Sequence, residues 1–114
     1  MLRRRSGARV NRGDYALLFS ALGDQTRLAL ITKLTCGEPR SISQLTEGIP
    51  LTRQAITKHL RVLEAAGLVR RGRDGRESLF ALDPRPIISA SEYLEFVSDQ
   101  WSEALDRLKA FVER

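Results

Sequence analysis

Residues 41–82 read SISQLTEGIPLTRQAITKHLRVLEAAGLVRRGRDGRESLFAL and carry the clearest structural signals of the chain. Its first half predicts two helices joined by a Gly-Ile-Pro-Leu turn, the first of about two turns and the second longer. Ser41 or Ser43 can cap the first helix and Thr52 the second, because a hydroxyl oxygen accepts the unpaired N–H groups of a first helical turn. Gly67 ends the longer helix, since glycine tolerates the left-handed conformation favoured there. The stretch therefore begins with a helix-turn-helix pair.

The longer helix has two different faces. Apolar side chains recur at helical spacing and predict a buried stripe of Ala55, Ile56, His59, Leu60, Leu63 and Ala66. The opposite face is basic and polar, and it carries Arg53, Gln54, Thr57, Lys58 and Arg61. Such a helix can pack on a core with one face and meet a charged partner with the other.

A β-hairpin is predicted after the longer helix. Residues 68–73 and 76–82 flank Asp74-Gly75, which is the strongest short-range hairpin signal. The hairpin forms a wing whose tip is bracketed by Arg70, Arg71, Arg73 and Arg76. Residues 53–76 hold seven basic side chains against two acidic ones, so positive charge is concentrated in the helix and the wing.

Length and composition indicate one globular domain that begins with a basic arm. The chain has 114 residues, of which 42% are hydrophobic, and a formal net charge of +5 that favours a polyanionic partner. Residues 1–13 carry five arginines and two glycines but few apolar residues, so we expect a flexible basic arm there. Residues 14–114 are then the folded domain.

Two helices are predicted between the arm and residue 41. The first runs from Asp14 to Leu22, and one face of it carries Tyr15, Leu18 and Leu22. Asp24 can cap the second helix, which ends before Gly37 and Pro39. Its predicted apolar stripe is Leu28, Ile31 and Leu34.

A long amphipathic helix is predicted at the C-terminal end, with Pro86 in its first turn. Its apolar residues alternate steps of three and four along a heptad-like seam of Leu94, Val97, Trp101, Ala104, Leu108 and Phe111. One chain of this size can hardly cover the seam, so we predict a homodimer. The predicted dimer interface contains Tyr15, Leu18, Leu94, Val97, Trp101, Leu108 and Phe111.

Other classes of protein are disfavoured by what the sequence lacks. Cys36 is the only cysteine, which excludes an intramolecular disulfide and fits a reducing compartment. No run approaches the roughly 18 apolar residues of a membrane span, so we expect a cytoplasmic protein with no membrane partner. No stretch offers a nucleophile with its base, paired carboxylates or a phosphate-binding loop, so we do not expect an enzyme.

The basic helix face and the basic wing together predict binding to double-stranded DNA. Arginine and glutamine can each bond two groups on a purine edge in the major groove, and the predicted base readers are Arg53, Gln54 and Thr57. Side chains at the cap or further along a helix more often meet phosphates. The predicted backbone contacts are Thr52, Lys58 and Arg61 in the helix and Arg71, Arg73 and Arg76 in the wing.

The motifs LGDQTRLALI, ITKHLRVLEAAGLV and RDGRESLFAL fall in an order and spacing that resemble the ArsR/SmtB-type winged-helix repressors, over residues 19–82. The resemblance implies a mainly α (α+β) winged helix-turn-helix fold, with about five helices and a two-stranded β-hairpin wing. It also implies a dimer formed by the first and last helices. Repression by promoter occupation, relieved by a small-molecule inducer of unknown identity, would be the mode of action.

The resemblance also implies where a metal site would lie. Metal-sensing members place a Cys-x-Cys pair on the helix matching residues 42–48, or Asp and His ligands on the terminal helix. This chain has no cysteine in the first of these helices and no histidine in the second. Cys36 and His59 alone cannot supply several converging ligands, so we expect no metal and no other cofactor.

Alternatives stay open at this point. A winged-helix module can bind a protein instead of DNA, because a fold does not determine a function. Cys36 could make the chain a redox-responsive regulator if its thiol is exposed, and His59 could act as a pH sensor. An activator or architectural DNA-binding protein would share the same sequence features as a repressor.

Overall fold

The structure is a computed structural model that describes residues 12–114. These residues form five helices and a three-stranded antiparallel sheet, which confirms the predicted fold class. In chain order the elements are α1 (Arg12–Leu22), α2 (Gln25–Leu34), β1 (Arg40–Ser41), α3 (Ile42–Thr46), α4 (Arg53–Ala65), β2 (Val69–Asp74), β3 (Glu77–Leu82) and α5 (Arg85–Val112). The predicted basic arm lies outside the described residues up to residue 11, and its last two residues begin α1.

The predicted caps position the N-terminal ends of three helices. Asp24 accepts a hydrogen bond from the backbone N–H of Arg27 at 3.0 Å, at the start of α2. Ser41 caps α3 in a reciprocal arrangement with Gln44, whose side chain accepts from the Ser41 backbone N–H at 2.8 Å. Thr52 caps α4 as predicted. Each cap satisfies N–H groups that a first helical turn leaves unpaired.

The strands β2 and β3 form the predicted wing, paired from Val69↔Leu82 at the root to Asp74↔Glu77 at the tip. Gly75 has a φ of 63° and opens the two-residue loop Gly75-Arg76, so the loop lies one residue later than predicted. Arg76 therefore sits in the loop itself. The wing narrows to this exposed turn.

A third strand joins the wing to the helical part of the chain. β1 pairs antiparallel with β3, with Arg40 opposite Phe80, which gives the strand order β1-β3-β2. The sequence pattern did not predict β1, because two residues cannot show the alternation that identifies a strand. β3 is the central strand, and β1 and β2 are the two edges of the sheet.

The core lies between the helices and the root of the wing. Its buried apolar residues are Leu18, Ala21, Leu30, Ile31, Leu34, Leu45, Ile56, Leu60, Leu63, Leu68, Val69, Phe80 and Ala90. In α4 the predicted stripe is confirmed at Ile56, Leu60 and Leu63. In α2 the prediction for Leu28 is wrong, since that side chain is 48% exposed and Leu30 is buried instead.

Leu18 does not fit the predicted dimer interface. It is 4% exposed within the single chain, because α1 packs against α2 and α4 and turns this side chain into the core. The neighbouring Leu17 is 50% exposed. Leu18 is therefore reassigned to the core of the chain.

Candidate nucleic-acid interface

The helix α4 is fixed in place by contacts at its N-terminal end as well as by its buried stripe. The Thr52 hydroxyl oxygen accepts from the backbone N–H of Ala55 at 3.1 Å. The guanidinium of Arg53 donates to the hydroxyl of Ser43 on α3, so it bridges the two helices of the helix-turn-helix. The outer face of α4 is consequently presented in a defined orientation.

Five of the predicted DNA-binding residues line one shallow groove on this outer face. The groove, called the cationic groove below, is lined by Ile42, Arg53, Gln54, Thr57, Lys58 and Arg61. The two arginines, Gln54 and Lys58 are exposed, whereas Thr57 is half-buried and donates its hydroxyl to the Arg53 carbonyl at 2.8 Å. Thr52 lies at the helix cap, outside this lining.

The charges of the cationic groove are not neutralised by acidic neighbours. Within residues 12–114, no ion pair engages Arg53, Lys58 or Arg61. Uncompensated cations on an exposed helix attract phosphates and release the counterions around them. The face of α4 therefore combines a helix that fits a major groove with the charge that a polyanion requires.

The wing arginines fall into two groups. Arg73 and Arg76 are exposed near the tip, and in the described part of the chain neither forms an ion pair. Arg71 has its Nε atom 3.9 Å from Oε2 of Glu64 at the end of α4, so it is drawn toward that helix. Arg70 is bound to Asp83 at the wing root. Two of the three predicted wing contacts, Arg73 and Arg76, thus remain fully available.

Arg27 connects three helices, and the sequence patterns did not single it out. Its Nε donates to the Ala21 carbonyl at 2.6 Å and its Nη1 lies 3.1 Å from Nδ1 of His59 on α4. Asp24, whose pKa is lowered first by the backbone N–H of Arg27, lies 3.8 Å from the same His59 atom. This cluster joins α1, α2 and α4 behind the cationic groove. The only sequence signal is an arginine three residues after a helix cap.

Asp83 is the second residue that sequence patterns missed. It is 7% exposed, and both oxygens of its carboxylate accept hydrogen bonds from arginines at 2.7–3.0 Å. The side-chain hydrogen bond from Arg85, followed by that from Arg70, holds the pKa of Asp83 well below its usual range. In the sequence, Asp83-Pro84 indicated only the end of a strand.

The apolar seam predicted on α5 is exposed along the described chain. Ala90 is the buried residue of this 28-residue helix, whereas Leu94 is 50% exposed and Trp101 is 71% exposed. Tyr15 lies beside the start of the seam, where its ring stacks on Tyr93 with 4.4 Å between centroids. The remaining predicted interface residues on α5, half-buried or exposed, are Val97, Leu108 and Phe111.

Cys36 is exposed at the turn between α2 and β1. A backbone hydrogen bond at Glu38 and the guanidinium of Arg40, whose Nη2 is 3.2 Å from the sulfur, lower the pKa of the thiol. Residues 12–114 contain no group of three or more His, Cys, Asp or Glu side chains that could hold a metal ion. None of the helices described is long and apolar enough to cross a membrane.

Comparisons with known proteins identify the helical pair and the whole fold. A family model described as a helix-turn-helix domain matches residues 22–72. The chain is 36% identical over 81 residues to the uncharacterized HTH-type transcriptional regulator YuzN of Bacillus subtilis, covering 66% of this chain and 88% of the relative. It is 32% identical over 87 residues to the HTH-type transcriptional regulator Rv2034 of Mycobacterium tuberculosis, covering 76% and 78% respectively.

Solved structures show the same architecture. An ArsR-like transcriptional regulator from Rhodococcus sp. RHA1 superposes with a TM-score of 0.75 at 34% identity, over 89% of this chain and 92% of that chain. The ArsR family transcriptional regulator RHA00566 gives a TM-score of 0.74 at 26% identity, over 82% and 95%. These relatives and structural neighbours are transcriptional regulators rather than enzymes.

Proposed function

Because the chain belongs to the ArsR/SmtB-type helix-turn-helix transcriptional regulators, we propose that it is a homodimeric repressor acting on an inverted-repeat DNA operator. In this proposal α4 enters the major groove and the wing at residues 70–76 meets the adjacent backbone or minor groove. The observation that carries it is the cationic groove, with three basic side chains that no acid neutralises in the described chain.

The positions of the groove side chains support separate roles, in which some side chains read bases and others bind phosphates. Arg53 and Gln54 lie at the exposed start of α4, the end that contacts base edges in helix-turn-helix complexes. Thr57 has its hydroxyl engaged with the Arg53 carbonyl, so its methyl group is the part suited to a thymine methyl. Thr52, Lys58 and Arg61 are proposed to bind phosphates and set the register.

A homodimer is supported by the exposed seam of α5. Large apolar side chains at Trp101, Leu108 and Phe111 are each more than half exposed in the single chain. A contiguous apolar surface of this kind marks an interface in a protein of ordinary composition. We propose that the seams of two chains and the neighbouring Tyr15 pack together, which also gives the two-fold symmetry that an inverted repeat requires.

The repressor role and its relief by an inducer rest on family membership. The inducer is proposed to be a small molecule, and stoichiometric zinc, arsenite or cadmium is expected not to release DNA. The proposed regulator acts in the cytoplasm, where a DNA-binding protein meets its operator.

A redox-responsive form of the same function is a second candidate. The observation that favours it is the exposed Cys36 thiol beside Arg40, since reactive cysteines are accessible and have a lowered pKa. Peroxide treatment of the DNA complex tests this candidate. Release of DNA by the wild-type protein and not by Cys36→Ser would support it, and equal behaviour of the two proteins would reject it.

Selection of bound duplexes from a random pool at fixed salt tests the main proposal. Recovery of one inverted repeat is the expected result, because a symmetric dimer presents two copies of α4 about one helical turn of DNA apart, or a multiple of it. The matched control is a variant with Arg53→Ala and Gln54→Ala, which should lose the selected preference. Recovery of no consensus by the wild-type protein would favour the alternative of a protein-binding winged helix.

A further inference from the structure

The root of the wing is closed by one buried carboxylate. Asp83 follows the last residue of β3, and its backbone N–H donates to the Leu68 carbonyl at 2.8 Å, one step beyond the Val69↔Leu82 pair. Its side chain reaches across to β2, where Nε of Arg70 donates to Oδ2 at 2.9 Å. Asp83, just after β3, thus binds the residue before β2 through its main chain and Arg70 of β2 through its side chain. These bonds join the two strands where the hairpin leaves the core.

The same carboxylate also holds the first residue of α5. The backbone N–H and Nε of Arg85 donate to Oδ1 at 3.1 and 3.0 Å, and Nη2 donates to Oδ2 at 2.7 Å. Pro84, at the N-cap of α5, makes no side-chain cap hydrogen bond. Asp83 therefore supplies the cap that Pro84 cannot.

The wing has few other supports along its edge. β2 is an edge strand that pairs only with β3, and its side chains from Arg70 to Asp74 are exposed. The contact between Arg71 and Glu64 is longer, at 3.9 Å, and both partners are more exposed than Asp83. β1 supports the wing only on the β3 side, opposite Leu79 and Phe80, so the direction of β2 depends on the bonds at the root.

We infer that Asp83 is a positioning residue that sets the direction of the wing relative to α5 through Arg70 and Arg85. The inference rests on the proposed DNA-binding function and deepens it. Arg70 then serves as a support of the wing rather than as a DNA contact. The arginines at the tip, Arg73 and Arg76, are the groups that Asp83 places against DNA.

Electrostatics and positioning predict opposite effects of Asp83→Asn on DNA affinity. The substitution removes a negative charge and frees two arginines, so charge alone would tighten binding to a polyanion. If Asp83 positions the wing, affinity for the selected inverted repeat instead falls about tenfold, the effect of losing charge-assisted hydrogen bonds. Asp74→Asn is the matched control, because it removes the same charge from an exposed acid at the wing tip and should not weaken binding.

Testing Asp83→Asn in a chain that already lacks the arginines of the wing tip separates positioning of the wing from general destabilisation. In a full-length variant with Arg73→Ala and Arg76→Ala, Asp83→Asn should change DNA affinity by no more than about twofold, because the wing contacts it positions are already absent. Thermal unfolding and sedimentation verify that each variant is folded and assembled as the wild type. Arg85→Gln, on a side chain that is 72% exposed, takes the place of Asp83→Asn if the latter does not fold.

The outcomes are distinct. The inference is supported if Asp83→Asn lowers DNA affinity tenfold in the wild-type chain but not in the variant with Arg73→Ala and Arg76→Ala. Tighter binding by Asp83→Asn, or an equal loss in both backgrounds, overturns it while leaving the DNA-binding function intact. A wild-type protein that selects no inverted repeat overturns the proposed function and this inference together.

Discussion

Arg27 donates a hydrogen bond from its guanidinium to Nδ1 of His59 over 3.1 Å, and this bond ties α2 to the helix that carries the cationic groove. Arginine has only donor atoms, so the guanidinium is the donor in this contact. The same guanidinium binds the Ala21 carbonyl at the end of α1. The side chain of Arg27 therefore connects three helices. Arg27 is the arginine of the LGDQTRLALI motif.

Replacement of Arg27 by Ala should lower the free energy of unfolding by about 1–3 kcal/mol. The reason is that the Ala21 carbonyl and the His59 imidazole lose their part-buried hydrogen-bond donor. Urea denaturation at fixed protein concentration measures the change. Arg107→Ala is the control, since Arg107 is exposed on α5 and its loss should cost no more than about 0.5 kcal/mol. Equal effects of the two substitutions would contradict the structural role of Arg27.

The carboxylate of Asp83 predicts a dependence of stability on pH. Its arginine partners lower its pKa in the folded chain, so the unfolded chain binds a proton more readily. The stabilisation from Asp83 is therefore complete above the unfolded carboxyl pKa of about 3.9 and is lost as the pH falls further. Urea unfolding of wild type and Asp83→Asn should differ by a constant amount above about pH 5, and the difference should begin to narrow below about pH 4 without vanishing at pH 3, because the folded chain keeps this carboxylate ionised well below its usual range. A constant difference down to about pH 3 would show that the ionised carboxylate is not the stabilising group.

Substitutions of Leu18 and Trp101 test whether the first side chain belongs to the core of the chain and the second to the dimer interface. Leu18→Ala should lower the free energy of unfolding by about 2–5 kcal/mol, since it leaves a cavity in the core. Trp101→Ala should instead weaken the dimer by about 2 kcal/mol or more, because the side chain is 71% exposed in a single chain. Sedimentation equilibrium measures the assembly, with Asp99→Ala as a control on α5. A wild-type chain that is monomeric at tens of micromolar would reject the dimer.

The Cys36 thiol should react faster than an ordinary thiol at pH 7. Its pKa is lowered by the backbone hydrogen bond at Glu38 and by Arg40, so a larger fraction is thiolate below the ordinary pKa of about 8.5. Alkylation by iodoacetamide measures the rate, and Arg40→Ala should slow it. An unchanged rate in Arg40→Ala would mean that the guanidinium does not stabilise the thiolate.

Features that depend on neighbouring residues could be predicted from the sequence. The caps at Asp24, Ser41 and Thr52 each bind an N–H group three residues ahead, so the pattern and the bond lie in the same short segment. The five α4 side chains of the cationic groove were predictable for the same reason, since helical spacing places Arg53 and Thr57 on one face.

Features that depend on distant partners could not be predicted. Arg27 meets a histidine 32 positions away, and Arg70 meets an acid 13 positions away, so no local pattern records either pairing. Arg70 therefore resembled the other wing arginines in sequence but is bound at the root. Leu18 was misassigned because helical periodicity groups residues on a face without showing which part of that face packs inward.

The last prediction separates the readers of base sequence from the contacts to phosphate. Arg53→Ala or Gln54→Ala should cost about 1–3 kcal/mol on the selected site and relax preference at one or two base pairs, because a paired base edge is lost. Lys58→Ala, Arg73→Ala or Arg76→Ala should weaken selected and scrambled duplexes alike. Each removed phosphate contact should also lower the slope of log affinity against log salt by about one unit per chain.

Arg71→Ala is the internal control for the assignment of phosphate contacts. Because Arg71 lies near Glu64, its substitution should change the salt slope less than Arg73→Ala does. Titrations at several salt concentrations, on selected and scrambled duplexes, distinguish the two classes of contact. If Arg53→Ala and Gln54→Ala leave the preference untouched while a substitution in the wing abolishes it, then the wing reads the bases. The cationic groove on α4 would in that case bind only the backbone, since its charges would add affinity without discriminating between sequences.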